Sequence, residues 1–424
     1  MAVAAPASLL GDLLALPRPG HWPDLRARAE AALEGRDLPT TREEAWKYTD
    51  LKPLREFAFR PSAAPAPGAP AMLPEAPGTR IAFLNGAFAP HLSNLSALPP
   101  GVRLLRLTQA TEAAQGFGTL VAPGGDPFAD LNTARFTEGA LLVIPAGLRV
   151  ETVLHVVFCN AGTAEAPALS LPRLHVVLEK GAQATLVEEH LGTGTYLSCP
   201  VAEVVLHEGA RLHHERIQRE SLEAFHLASL GARLEGHAAY ALRTVHLGSR
   251  LGRLVPEITL AQSEAELELD GLALLDGSQL VDTHSRIAHA VPACRTRQLY
   301  KSIVDGESRS VFNGRIHVMP GAQQTDARQQ ARSLLLSERA RVDAKPELEI
   351  YADDVKCAHG AAIGQLDPEE LFYLQSRGMT PALARNLLTY AFAADVLATI
   401  PVPSLRRQLR KAVLERTHAD GLEL

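Results

Sequence analysis

The sequence predicts a mainly β protein with a β-solenoid at its centre and helices at both ends. Between about residues 131 and 352 the chain consists of short apolar or alternating runs, such as ALLVIPAGLRVE and AEVVLHEGARLHHERI. A glycine followed by a small or polar residue recurs between these runs, at positions 181, 209, 231, 248, 277, 306 and 321. The flanking segments instead carry helical periodicity and capping residues.

Short strands that repeat with a Gly-small turn favour stacked coils. The spacing of the turns is loose, and a β-sandwich would show similar strands. A sandwich of this length would usually be divided into two domains, however, so the pattern favours the solenoid over the sandwich.

The N-terminal segments are predicted to be helical up to a linker. Pro23 opens an amphipathic run that a glycine can close. The segment TTREEAWKYTDLKPL at 40–54 offers two overlapping capping boxes and predicts a further helix. Residues 61–78 are rich in Pro, Ala and Gly and predict an extended linker. Asn85-Gly86 between two apolar runs predicts a tight hairpin.

Three helices are predicted near the C-terminal end. Asp367 is followed by proline and two glutamates, which is a strong helix start. Thr380-Pro381 opens a second helix that is apolar over most of its circumference, and Ser404 can cap a third. The expected organisation is an N-terminal helical region with its linker at 1–78, a solenoid core at 79–365 and a C-terminal helical domain at 366–424.

The composition excludes several classes of protein. A hydrophobic content of 46%, a charged content of 21% and a net charge of −6 are ordinary for a globular chain and give no basic stripe for nucleic acid. No apolar run approaches the ~18 residues of a membrane span. The first residues lack a basic segment, so we expect mature sequence and not a signal peptide. Four widely spaced cysteines predict no disulfide framework and favour a reducing cytoplasm.

The motifs of common enzymes are absent from the sequence: it has no phosphate-binding loop, nucleophile elbow or HExxH. Many of the 16 histidines fall in the strand region, and these are interpreted as half-buried strand residues that pair with nearby acids. Cys159, Cys199 and Cys294 are interpreted as small buried apolar residues. The acid pairs Glu188-Glu189 and Asp353-Asp354 are interpreted as exposed turns and not as catalytic dyads.

Cys357 and His359 are the strongest candidates for chemistry. If ELEIYADDVKCAH continues as one strand, the period of two places both side chains on one face. A thiolate and an imidazole suit zinc or iron–sulfur chemistry. Two ligands do not close a site, so a metal here needs ligands from another subunit. The alternative is a structural pair, a buried cysteine beside a hydrogen-bonded histidine.

The run RSVFNGRIHVMPGAQQTDARQQARSLLLSERARVDAKPELEIYADDVKCAHGAAIGQLDPEELFYLQSRGM at 309–379 resembles the SufB/SufD family of iron–sulfur cluster assembly scaffolds. TREEAWKYTDLKPL is similar to the N-terminal motif of that family, and DDVKCAHGAAIGQLD is similar to the SufD form. The middle of the chain resembles the family mainly in its short apolar or alternating runs separated by turn residues. The resemblance implies a right-handed parallel β-helix between helical ends.

The resemblance also implies partners and a cargo. It implies a heterodimer with a SufB-like subunit and a nascent iron–sulfur cluster at their interface. There His359 would act as a ligand, with Cys357 at the same interface. We expect that the isolated chain binds no cluster stably. A SufC-like ABC-type ATPase would dock on the C-terminal helices, for which we expect contacts from Leu371, Phe372, Tyr373 and Arg377.

The leading hypothesis is therefore a non-enzymatic scaffold subunit. Two alternatives remain open from the sequence. One is a β-helix enzyme that acts on polysaccharide, although most such enzymes are secreted. The other is a SufD-like homodimer that acts without SufB.

Overall fold

The fold is a β-solenoid of about seven turns with helices at both ends, and 42% of the described residues are in strands and 21% in helices. The computed structural model describes residues 8–62, 72–109 and 116–416. The predicted mainly β solenoid fold is thereby confirmed.

The helices are α1 (Leu9–Leu14), α2 (Pro23–Leu33), α3 (Pro127–Arg135), α4 (Pro368–Ser376), α5 (Pro381–Ala398) and α6 (Pro403–Arg416), with short 3₁₀ turns at Glu44–Trp46, Lys52–Glu56, Pro90–Leu92 and Leu107–Gln109. The early strands are β1 (Arg60–Pro61), β2 (Arg80–Leu84), β3 (Ala87–Phe88), β4 (Arg103–Arg106), β5 (Gly139–Ile144), β6 (Leu154–Ala161), β7 (Ala168–Ser170), β8 (Arg173–Leu178), β9 (Gln183–Thr193), β10 (Tyr196–Ser198) and β11 (Val201–Leu206). The later strands are β12 (Arg211–Arg219), β13 (Phe225–Leu234), β14 (Ala239–His246), β15 (Leu251–Leu260), β16 (Glu266–Leu275), β17 (Leu280–His289), β18 (Arg295–Val304), β19 (Arg309–Val318), β20 (Thr325–Leu335), β21 (Arg341–Ile350) and β22 (Val355–Gly364).

The strands stack into two sheets between which the chain alternates. Sheet A has the order β21-β19-β17-β15-β13-β11-β8-β5-β4, and sheet B has the order β22-β20-β18-β16-β14-β12-β9-β6-β2-β3. From β5 and β6 onward these neighbours pair in parallel. Because side chains alternate along a strand, every second residue points into the lumen between the sheets. Apolar side chains from both sheets fill much of this lumen, including Leu186, Leu230 and Ile287.

The outer face of each sheet is covered by a different end of the chain. The N-terminal helices and α3 pack with outward residues of sheet A such as Leu141 and Leu227. Helices α5 and α6 pack with outward residues of sheet B such as Val187 and Leu272. The apolar circumference of α5 is thus explained, because it is covered by sheet B as well as by α6.

The predicted helix over 40–54 is wrong, because the segment forms only two 3₁₀ turns. Half of a capping box forms, with Thr40 N–H donating to Glu43 Oε1 at 2.9 Å. The segment instead lies across sheet A, where side-chain contacts hold it. Trp46 stacks under the Arg253 guanidinium at 3.9 Å, and Thr49 Oγ1 donates to Asp282 at 2.5 Å. Tertiary contacts therefore outweigh local helix propensity here.

Other local predictions have mixed outcomes. The Asn85-Gly86 hairpin is confirmed by the antiparallel pairing of β2 and β3. Gly231 does not form a turn, since it lies inside β13. In the predicted linker, residues 63–71 lie outside the described residues, whereas Leu73 and Ala76 are buried in the same apolar cluster as α5 and α6.

The C-terminal helices begin close to the predicted positions. The side chains of Asp367 and Thr380 cap α4 and α5 by accepting backbone hydrogen bonds. Ser404 lies inside α6 and does not cap it; its backbone N–H donates to Glu75 at 2.8 Å. None of the helices in the described ranges is long and apolar enough to cross a membrane.

Candidate functional site

The last turn of the solenoid ends in edge strands. Among the residues that the structure describes, β22 pairs only with β20 and β21 pairs only with β19, so each leaves one edge without a neighbouring strand. Most of β22 is exposed, in contrast to the buried strands of the preceding turns. An open strand edge is a template on which another chain can pair.

Cys357 and His359 both lie on β22, at positions with the same side-chain direction. The Cα of Cys357 pairs with Ala327 and that of His359 with Gln329, both on β20. Cys357 is half-buried and packs against the lumen core, whereas His359 is exposed. Their Cα atoms are separated by two strand residues, about 7 Å.

The local environment of Cys357 favours the protonated form of its thiol. Burial raises the pKa of the Cys357 thiol, and Asp326 raises it further. A thiol must lose its proton to bind a metal, so Cys357 needs added positive charge to become a ligand. No group of three or more His, Cys, Asp or Glu side chains able to hold a metal occurs within the described part of the chain.

The prediction that ELEIYADDVKCAH forms one continuous strand is wrong. β21 ends at Ile350 and β22 begins at Val355, with a turn between them, and the two strands belong to different sheets. The turn contains the exposed acids Asp353 and Asp354, as predicted. Cys357 and His359 nonetheless share one face, because both lie after the turn.

Apolar side chains surround this open end of the solenoid. Ile350 is 40% exposed, Tyr351 61% and Ile363 48%. Beside them, Leu348 and Val355 are only partly buried against the lumen core. Exposed apolar residues next to an unpaired strand edge are typical of a protein–protein contact.

The exposed-turn interpretation of Glu188 and Glu189 is wrong. Both lie inside β9 with about 1% of their surface exposed. Glu188 faces the lumen and contacts two histidines: its Oε1 lies 2.5 Å from His190 Nε2 and its Oε2 lies 2.9 Å from His214 Nε2. Glu189 faces outward and lies 2.8 Å from His155 Nε2. The interpretation of the histidines as acid-paired strand residues is borne out for these three.

These ion pairs extend along the lumen. Arg216 Nη2 lies 2.8 Å from His226 Nε2, and His226 Nδ1 lies 2.7 Å from Glu220. Burial would raise the pKa of Glu188, but Arg216 and the histidines outweigh it and hold the pKa well below its usual range. The sequence indicated that strand histidines pair with acids but not which residues meet, since the members of this network come from separate turns of the solenoid.

His246 is a lumen residue whose ring is buried without a hydrogen-bond partner. It is 1% exposed, and neither ring nitrogen has a hydrogen-bond partner. Burial, followed by repulsion from Arg216, lowers the pKa of His246 to about 3. In the unfolded chain a histidine has a pKa near ~6.5. Below that pH the unfolded state binds the additional proton, so this residue makes stability fall as the pH falls from about 6.5 towards 3.

We therefore expect His246→Leu to become more stable relative to the parent protein as the pH is lowered. Between pH 7.5 and 5 the relative gain should be about 2 kcal/mol, from ~1.4 kcal/mol per pKa unit. Denaturant unfolding at both pH values measures this difference. Groups whose pKa is raised, such as Glu215 at about 8, are common to both proteins and cancel. The exposed His91 supplies a control: His91→Leu should not change the pH slope.

The residues predicted to contact an ATPase partner lie on or beside α4, which has no buried residue. Phe372 is 73% exposed and Tyr373 56%. Leu371 is half-buried, and the exposed Arg377 places its guanidinium 5.2 Å from the Tyr373 ring. The structure thus places these residues on or beside one short helix. Residues 365–367 connect this helix to β22, the strand that carries Cys357 and His359.

Comparison with known proteins gives consistent matches over most of the chain. The family model described as the SufBD core domain of SUF system FeS cluster assembly matches residues 159–392. The model described as the SufBD protein N-terminal region matches residues 21–156.

Individual relatives are similar over nearly their full length. An iron–sulfur cluster assembly SufBD family protein of Synechocystis is 38% identical, over 90% of this chain and 88% of the relative. The chloroplastic protein ABCI7 of Arabidopsis thaliana is 31% identical, over 96% and 89%. The iron–sulfur cluster assembly protein SufD of Escherichia coli is 29% identical, over 89% of each chain.

Proposed function

The chain belongs to the SufBD family of iron–sulfur cluster assembly proteins, and we propose that it serves there as a non-enzymatic, SufD-like scaffold subunit. In this proposal it pairs with a SufB-like subunit, carries a SufC-like ATPase and contributes ligands to a nascent cluster. The cluster is the cargo of the complex and is not bound stably by this chain alone. The proposed setting is the cytoplasm.

The observation that supports the proposal is an incomplete ligand set on a strand with one unpaired edge. His359 and Cys357 lie on the same side of β22, whose outer edge pairs with no strand of the described chain. A partner that adds a strand to this edge would bring its own side chains beside theirs. The Cys357 thiol, whose pKa is raised by burial, would lose its proton more readily beside iron or a partner cation.

Sharing the ligands between two chains also suits a cluster that must be transferred. A closed four-ligand site made by one chain holds its metal strongly. Two ligands from each side form a site that opens when the subunits move apart. An ATPase that docks on α4 would be linked to β22 by only three residues, 365–367, between Gly364 and Pro368. Movement of α4 could therefore be transmitted directly to the strand that carries His359.

The partner assignment is tested by anaerobic co-expression with SufB-like and SufC-like chains, followed by measurement of mass and of bound iron and sulfide. We expect a ternary complex that carries a cluster. Phe372→Ala should weaken retention of the ATPase while the SufB-like subunit stays bound, because a large exposed aromatic side chain is a favourable anchor for a partner. Leu222, 58% exposed elsewhere on the surface, gives the matched control Leu222→Ala.

Three results would contradict parts of this proposal. A chain that purifies only as a homodimer in the presence of both partners would favour the adaptor alternative. Loss of the SufB-like subunit from Phe372→Ala would mean that α4 does not serve the ATPase alone. Cleavage of polysaccharide by the isolated chain would favour the enzyme alternative.

A further inference from the structure

A row of polar side chains runs through the lumen towards His359. Ser285 Oγ accepts from Gln298 Nε2 at 2.9 Å, and Gln298 Oε1 accepts from Gln329 Nε2 at 2.7 Å. Gln298 and Gln329 are register partners on β18 and β20, and the next partner on β22 is His359. The Gln329 amide therefore donates to the preceding turn, while Gln298 donates across the lumen to Ser285 on the opposite sheet.

Gln329 is left with one unused acceptor. The residue is 0% exposed, and its Oε1 is buried without a hydrogen-bond partner. Leaving a buried polar atom unpaired costs ~1–3 kcal/mol, so such an atom requires an explanation. The opposite sheet makes room for this amide at Gly314, where a Cβ atom would lie 2.4 Å from Gln329 Nε2. The space and the hydrogen bond to Gln298 together fix the orientation of the Gln329 side chain.

The register places His359 on the neighbouring strand, on the same side as Gln329. Parallel strands lie ~4.8 Å apart, so the paired side chains of one face are adjacent. His359 is exposed, and its ring can rotate without displacing buried neighbours. A rotation about its side-chain torsions is what would carry a ring N–H to the free acceptor.

We propose that Gln329 is a positioning residue for His359: its Oε1 accepts a hydrogen bond from one ring N–H, so that the other nitrogen presents its lone pair at the open end of the solenoid. The inference deepens the proposed function and rests on His359 being a ligand of the nascent cluster. Histidines that bind metals usually donate their second ring N–H to a carbonyl or carboxylate, which selects the tautomer and orients the ring. A buried amide oxygen on the adjacent turn is well suited to this role.

The hydrogen bond is tested on the full chain alone, without any cluster. With ¹⁵N-labelled histidine at about pH 8, long-range proton–nitrogen spectra report the tautomer of each neutral ring. The His359 signals are identified by their loss in His359→Gln. We expect widely separated ring-nitrogen shifts for His359, which indicate one tautomer. In Gln329→Met they should move towards each other, whereas Gln329→Glu, which keeps an acceptor oxygen, should retain the separation. Unchanged shifts in Gln329→Met would overturn the proposal.

The consequence for the cargo is tested in the co-expressed complex. We expect Gln329→Met to reduce cluster content about 10-fold, in the range found for residues that orient a metal ligand. Gln329→Glu should restore much of it. Ser333→Ala is the matched control, because Ser333 is also a buried polar residue of β20 but pairs with Ile363 and hydrogen-bonds Ser302 at 2.7 Å. An equal loss in Ser333→Ala would indicate a general disturbance of β22 and overturn the specific role.

The two proposals fail in different ways. Full cluster content in His359→Ala would remove the ligand role of His359 and so the proposed function at this site, whatever the spectra show. A single His359 tautomer that persists in Gln329→Met would remove the role of Gln329 while leaving His359 as a ligand.

Discussion

Replacing His359 with alanine is expected to leave the ternary complex assembled and to lower its cluster content by at least about 10-fold. The physical reason is that the imidazole is the nitrogen ligand which this chain offers at the open end, while the side chain itself contributes little to folding. His359 is exposed, and substitutions at exposed positions usually change stability by no more than ~0.5 kcal/mol. The measurement is iron and sulfide per complex after anaerobic purification.

Two variants make this result interpretable. His91→Ala removes another exposed histidine far from β22 and should leave the cluster content unchanged. Cys357→Ser tests the second ligand and should lower the content as well, if its thiol reaches the cluster. A complex of His359→Ala that contains the normal amount of cluster would contradict the ligand role.

Replacing Ile363 with aspartate is expected to release the SufB-like subunit while the chain itself remains folded. Ile363 is 48% exposed at the open end, so a carboxylate there stays hydrated in the isolated chain. Pairing with a partner strand would bury that charge without a counter-ion, at a cost of ~3 kcal/mol or more. This corresponds to binding that is about 100-fold weaker or worse. Titration calorimetry or analytical ultracentrifugation with the purified partner measures the change.

Leu222→Asp introduces the same charge at a residue that is 58% exposed on another surface. It should bind the SufB-like subunit normally. Undiminished binding of Ile363→Asp would show that the partner does not use the edge of β22. Thermal unfolding of both variants alone checks that neither loses its fold.

Much of the architecture was predictable because it repeats. The Gly-small turns and alternating runs recur in each coil, so an error at one position, such as Gly231, does not change the overall conclusion. The caps of α4 and α5 were predictable for another reason: Asp367 and Thr380 bond to backbone within three residues, so the sequence contains the whole interaction.

The errors have a common physical cause. The 40–54 segment has helix-capping residues, but its aromatic and polar side chains are held by sheet A, across more than two hundred residues of sequence. In the sequence, Glu188 and Glu189 resemble an exposed acidic pair. Their ion-pair partners, His214 and Arg219, come from a neighbouring coil. Long-range contacts of this kind produce no local pattern in the sequence from which they could be predicted.

By itself the sequence determined the fold class, the helical ends and the position of Cys357 and His359 on one strand face, because these depend on short-range periodicity and on a long, specific motif. Only the tertiary structure decided that this strand is the open edge of the solenoid and that Gln329 lies beside His359 with a free, buried oxygen. The physical reason is register. Which residues become neighbours in a parallel solenoid depends on the length of each coil, and that is settled only when all the coils are stacked.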